Sequence, residues 1–199
     1  MNHPALWVVL LVSTLVACRG STPPPVTQAE TPAAVPATKT AVRGRIDGIE
    51  VQPTQAVFLW RPKADDLSIV FADSDDLCAA LQAGAMPKNA TVVSVTIKHN
   101  TKENRDAPFA AGDFPVRQGS ALEPQDTKRA RLAKLDATCK PTTTATATSG
   151  SVHLTTTEVK VGGVAEGSLS LVFPSGEKLE GPFRATYCAP PDLEPNGCR

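Results

Sequence analysis

From Ala41 to Cys188 the chain is a succession of short apolar runs of alternating character, each broken by turn-forming residues, and that rhythm favours strands over helices. The runs are AVRGRI, QAVFLW, LSIVFA, TVVSVTIKH, GDFPV, SVHLTTTEV, VAEGSLSLVF and EKLEGPFRATYC. None has the length or the 3.6-residue period of a core helix, so the expected fold is mainly β, an antiparallel sandwich or open barrel with one short helix.

The last three runs form the clearest unit. Gly162-Gly163 and Pro174-Ser175-Gly176 separate stretches whose alternate residues share a face: Val152 and Leu154, then Leu169, Leu171 and Phe173, then Leu179, Phe183, Ala185 and Tyr187. This predicts a three-stranded meander. Pro182 has no amide proton, so the last strand must lie at an edge there or turn that position away from a partner.

The helix is expected after Ser74-Asp75-Asp76, which offers an N-cap and acids for the first turn. Leu77, Ala80 and Leu81 follow at helical spacing, and Gly84 is placed to end it. The segment Arg129 to Leu135 is open between helix and strand, with its basic residues reading as a solvated face. The Thr/Ala run from Thr142 to Thr148 reads as a flexible loop or an edge strand.

Twenty Lys and Arg balance twenty Asp and Glu. Nucleic acid is therefore not an expected partner, because phosphate recognition needs a clustered basic excess. At 199 residues the chain has room for one domain of ordinary size.

Residues 1 to 17 carry a different message. The apolar run ALWVVLLVSTLVA is too short for a bilayer span, which takes roughly 20 residues, and it fits the centre of a secretory signal peptide. It ends Leu15-Val16-Ala17-Cys18, which resembles the lipobox of bacterial lipoproteins, although no Lys or Arg precedes the run. The resemblance implies cleavage after Ala17, a diacylglyceryl group on the Cys18 thiol and an acylated, for example palmitoylated, amino terminus. Several acyl chains hold far more firmly than one, at about 0.8 kcal/mol per buried methylene. Arg19 stands where an Asp would signal inner-membrane retention, so the resemblance points to the outer membrane. Residues 18–40, rich in Pro and Thr, then form a tether, residues 41–188 the β-rich domain and residues 189–199 a Pro-rich tail.

With Cys18 acylated, Cys78, Cys139, Cys188 and Cys198 remain, an even set for an exported chain. The preferred pairing joins Cys188 to Cys198 across the short CAPPDLEPNGC loop and leaves Cys78 for Cys139. Pairing of Cys78 or Cys139 with Cys188 is the alternative. No CxxC or HxxxH spacing suggests zinc.

Only His99 and His153 follow the signal segment, and no nucleophile elbow, zinc motif or phosphate loop accompanies them. The acids Asp65, Asp66, Asp73, Asp75 and Asp76 read as capping residues, since the later glycine and the bidentate glutamate of a calcium loop are missing. Aromatic residues make up only 5%, too few for glycan platforms, and Trp60 is expected in the core. No cofactor and no catalytic set is indicated.

The stretch from Gly162 to Cys188 is similar to a pattern in uncharacterised bacterial envelope lipoproteins, carried by Gly167, Leu169, Leu171, Phe173, Gly181, Phe183, Ala185 and Cys188, with Asp76-Leu77-Cys78 upstream. The resemblance implies no activity. The leading expectation is a lipid-anchored envelope protein that acts as a binding or structural module, meeting the membrane through Cys18 and engaging an envelope protein, a glycan or a small ligand. The alternative is an envelope hydrolase built on His99 or His153, which a pocket gathering the histidine with an acid and a hydroxyl would favour. A third reading makes the C-terminal meander an assembly surface, which an unprotected edge strand would support.

Overall fold

The computed structural model describes residues 40–62, 64–99, 109–116, 125–190 and 197–198, with the backbone alone at 99, 125–128 and 197–198. Cys18, the signal segment, the tether up to residue 39 and most of the Pro-rich tail lie outside the described residues.

The chain is mainly β, with one sheet curled into a half-barrel and one short helix. Its elements are β1 (Arg43–Ile46), β2 (Ile49–Val51), β3 (Gln55–Arg61), β4 (Asp66–Ala72), α1 (Leu77–Gln82), β5 (Ala85–Met86), β6 (Thr91–His99), β7 (Gly112–Pro115), β8 (Gln125–Leu135), β9 (Pro141–Thr146), β10 (Ser149–Thr157), β11 (Val164–Val172), β12 (Lys178–Tyr187) and β13 (Gly197–Cys198). The sheet runs β7-β10-β11-β12-β3-β4-β6-β8-β9, with β1 and β2 attached beside β12. Every pairing in it is antiparallel except β12 with β3, which meet in parallel at Thr186 and Tyr187. Strands β9 and β10 are separated by two residues only, and those residues pass from one neighbour to the next: Ala147 donates to the Ala130 carbonyl at 2.9 Å and Thr148 to that of Val172 at 2.8 Å. This one extended stretch thus links β8, next to one end of the sheet, with β11 near the other.

Local chemistry sets the turns. Asp47 and Gly48, at φ 50° and 77°, close a two-residue hairpin between β1 and β2, the geometry that Asp-Gly favours. Gly167 has a tighter reason: a Cβ there would lie 1.9 Å from the His153 carbonyl oxygen, so no other residue fits without moving backbone. The β10-β11-β12 meander forms with the expected inward residues, Val152, Leu154, Leu169, Leu171, Phe173, Leu179, Phe183 and Ala185 all buried and Tyr187 packed beside them. Pro182 opposes Ser168 on β11, while its carbonyl accepts from Ala41 at 3.2 Å on the other side. Nitrogen and carbonyl of one strand residue point the same way, so the missing donor faces Ala41, on the side away from β11.

The inner face carries the main core, centred on Phe58, Leu67, Ile69, Phe71, Val95 and Leu132. Phe71 meets Phe183 edge to face at 5.5 Å between ring centres. Trp60 is partly buried against this core and contacts Phe109 edge-on at 5.2 Å. The outer face of β3, β4 and β6 has a second core, where Val57, Leu59, Val70, Ala72 and Val92 pack under Leu77 and Leu81 of α1. All seven residues of β4 are buried in consequence.

Two expectations about this region are corrected. The acids do not cap α1: Asp76 makes no side-chain capping bond and the first turn holds no acid. The Gln55 carboxamide does so instead, its Oε1 accepting from the Leu77 amide at 3.1 Å and its Nε2 donating to the Asp75 carbonyl, while Asp73 accepts from the Thr91 amide at 2.7 Å. A residue of the sheet thus holds the helix start. The preferred short-loop disulfide is also not the one formed. Cys188 pairs with Cys78, 110 residues away, because β12 emerges beside β3, where the Cys188 amide donates to Phe58 at 2.8 Å directly under α1. Closing so long a loop stabilises the fold by about 4–5 kcal/mol in the chain-entropy account. Cys139 is disulfide-bonded as well, and its sulfur lies 3.2 Å from the Met86 carbonyl oxygen. Cys198 follows in β13, whose backbone pairs with β5 at Met86, and its side chain lies outside the described residues.

Candidate functional site

The histidine site foreseen as an alternative is partly assembled. His153 on β10 stands opposite Asp113 on β7 and Ser168 on β11, so acid, imidazole and hydroxyl occupy one row across three strands. The His153 Nδ1 and an Asp113 carboxylate oxygen are 2.8 Å apart. No hydrogen bond joins Ser168 to His153 among the described residues. The row lies on the outer face, with side-chain exposures of 47% for His153 and 75% for Asp113. Its strands are paired on both sides of β10 and β11, so the amides near Ser168 serve the ladder rather than an oxyanion. Among the described residues no wall excludes water there. The geometry is that of a cross-strand polar pair on an open surface. For His99, at the end of β6, the described backbone pairs with Gln125 and the side chain lies outside the described residues.

The acids expected near the helix serve the structure. Asp66 forms two bonds to the Arg61 guanidinium, at 2.8 and 3.0 Å, and Arg61 also reaches Ser68 at 3.4 Å. Among the described residues no cluster of three metal-ligating side chains occurs, and no helix is long and apolar enough to cross a membrane.

A shallow cleft of about 420 Å³ opens where the chain enters the domain, lined by Val42, Arg43, Gln52, Glu180 and Pro182 among others. It brings together no converging set of titratable groups beyond the Arg43 and Glu180 cross-strand neighbours.

The feature that differs from its surroundings is the free edge of β9. This strand pairs with β8 alone, Leu132 opposite Ala145 and Arg131 opposite Thr146. Because Ala147 donates towards β8 and Thr148 towards β11, successive residues face opposite sides, and as far back as the register shift at Thr142 the main-chain groups of Thr144 and Thr146 point away from β8. They take no backbone partner among the described residues. The strand reads PTTTAT; after Pro141 and the register shift at Thr142 its remaining residues are uncharged and rich in β-branched threonine, which suits an extended edge.

The other margins are blocked in the ways that natural sheets use. Strand β7 has four residues, ends at Pro115 and sits against β8; β2 has three; the flank of β12 at Gly181 and Pro182 is covered by Ala41. Among the described residues, β9 from Thr143 to Thr146, past Pro141 and the register shift at Thr142, is an edge stretch without proline or charge.

Beside this edge the outer face of β8 is basic. Arg129 and Arg131 are exposed two residues apart on the side opposite the buried Ala130 and Leu132, and among the described residues no ion pair engages either of them. Lys134 and Lys140 flank the hairpin turn that joins β8 to β9. That turn is built by Asp136, whose Oδ1 accepts from the Thr138 amide at 2.7 Å, the Thr138 hydroxyl at 2.8 Å and the Lys140 amide at 2.9 Å. The Thr138 hydroxyl bond first, then the Lys140 amide, holds the Asp136 carboxyl below the usual carboxylate range.

Neither half of this arrangement reads as a site in the sequence. The Thr/Ala run was open between loop and edge strand, and the structure makes it the edge strand. The basic segment was read as a solvated face, which it is, and only the register of β8 with β9 places it next to unpaired backbone.

Compared with known proteins, the chain matches no family model, no curated protein and no solved structure.

Proposed function

We propose that this chain is a lipid-anchored protein of the bacterial cell envelope, held by acyl groups on Cys18, whose β domain is an interaction module that binds an extended peptide segment by strand addition at β9. The observation that carries the reading is the β9 edge beyond Pro141 and the register shift at Thr142, where Thr144 and Thr146 turn main-chain donors and acceptors outward in an uncharged stretch. The anchoring half rests on Leu15-Val16-Ala17-Cys18 and the short apolar run before it. A Pro-rich spacer of this length reaches on the order of 25 Å as a coil, enough to present the domain beyond the headgroups.

The open convex face around His153, Asp113 and Ser168 lends the hydrolase alternative an acid-imidazole pair but no enclosed site, so binding is the better-supported function. The test is an amide-resolved titration of the protein with an unstructured peptide of alternating Val and Thr. Strand addition predicts shifts and new exchange protection centred on Thr144 and Thr146. Changes centred on Ser168 and His153 instead, or none at saturating peptide, contradict it. Intact mass measurement of protein from its native envelope tests the anchor: a chain beginning at acylated Cys18 is expected, and an unmodified Cys18 contradicts it.

A further inference from the structure

The geometry points to an acidic partner: resting on the reading of β9 as the binding edge, we infer that the segment added there carries Asp or Glu at alternate positions, read by Arg131 on the outer face of β8, with Arg129 adding positive charge beside it. An added strand places alternate side chains on the outer face, in register with Thr144 and Thr146. Arg131 lies directly opposite Thr146 across the β8-β9 pair, so two strand spacings, about 9.6 Å, separate its backbone from that of the incoming strand. An arginine and a glutamate side chain extended towards each other across the short Thr146 side chain span that distance. Guanidinium and carboxylate then meet in bidentate geometry.

The charges around the edge have one sign where they are not already engaged. Arg129, Arg131, Lys134 and Lys140 are exposed, whereas Asp136 is committed to its turn and Glu177, in the β11-β12 turn, to the Ser175 hydroxyl at 3.1 Å. A second copy of this chain would bring two such basic margins together. An acidic strand neutralises one, which favours it over self-pairing. The hydroxyls of Ser94 and Thr96, on the same outer face of β6, extend the polar strip away from the edge without adding an opposing charge.

The experiment titrates the full chain with three fluorescent peptides of equal length that alternate Val with Glu, Thr or Lys, at low and high salt. The Glu peptide is expected to bind at least about tenfold more tightly than the Lys peptide, with the preference shrinking as salt rises. R129E/R131E is expected to reverse the preference while binding of the Thr peptide persists. Thr144→Pro, whose nitrogen faces away from β8, is expected to weaken all three peptides at least about tenfold. Peptides N-methylated at alternate residues provide the same test without altering the protein, and should fail to bind.

Thr144→Pro and N-methylation abolishing binding while R129E/R131E leaves the Glu preference intact would overturn the acidic-partner inference and leave the edge in place. Binding of the Glu peptide that survives both Thr144→Pro and N-methylation would overturn the edge itself and the inference with it. Concentration-dependent dimerisation that Thr144→Pro abolishes, with no peptide bound, would show a second copy as the occupant and overturn both the acidic partner and the foreign segment.

Discussion

Strands β4 and β9 lie in the same sheet three places apart, yet they meet opposite fates. β4 is paired on both edges, and both of its faces are covered, one by the main core and one by α1, so all seven residues are buried. β9 is paired on one edge, buries Ala145 on one face and exposes the Thr144 and Thr146 side chains on the other. The difference is a division of labour. Where helix, disulfide and second core converge, every backbone group and apolar side chain is used up in holding the fold; where they end, the sheet retains hydrogen-bonding capacity for something else.

Substitutions sharpen that contrast. The largest effect is expected in β4: Phe71→Ala removes a fully buried ring and its edge contact with Phe183, and should lower stability by about 3–5 kcal/mol in chemical denaturation. Thr144→Ala, the counterpart in β9, should stay within about 0.5 kcal/mol. Equal losses at the two positions would break the comparison. Next comes the staple: replacing Cys78 and Cys188 by Ala should remove about 2–5 kcal/mol, and amide exchange should rise first across α1 while β9 is unchanged. Within β9 itself the two sides should separate. Thr143→Pro removes a donor aimed at Lys134 and should lower stability by about 1–3 kcal/mol, whereas Thr144→Pro removes only an outward donor and should lose less than about 1 kcal/mol. A reversed order would mean that the edge faces the other way.

The smallest effect is a pH dependence confined to the β8-β9 turn. The Asp136 carboxyl titrates below its ordinary value, so the folded state binds its proton more weakly than the unfolded state does. The contribution is fully present above the ordinary carboxylate pKa of about 3.9, and is lost as pH falls through the lowered value. Asp136→Asn should remove that component from a series of urea midpoints between pH 7 and pH 2. An unchanged acid limb in the variant would show that the turn does not depend on the carboxylate.

Much of the sheet was legible because a period of two survives wherever one face is solvated, as along β10, β11 and β12. It failed where both faces are covered. Leu132 and Leu135, three apart, suggest a helix, but in β8 that odd spacing sends Leu132 to the main core and Leu135 to the second one, with a register shift between Lys134 and Leu135. β2 and β5 are too short to produce a pattern. The Gln55 cap, the Cys78–Cys188 bridge and the row of Asp113, His153 and Ser168 all depend on residues brought together from distant parts of the chain, which local chemistry does not encode. The candidate site shares that limit: its threonines and arginines were visible, and their adjacency was not.

The most direct measurement is residue-resolved amide exchange along β9 in the free protein. An open edge predicts alternation, with Thr143 and Ala145 protected by β8 and Thr144 and Thr146 exchanging at rates close to those of exposed loops. Uniform protection from Thr142 to Thr146 would show that the edge is already covered, and would contradict the account.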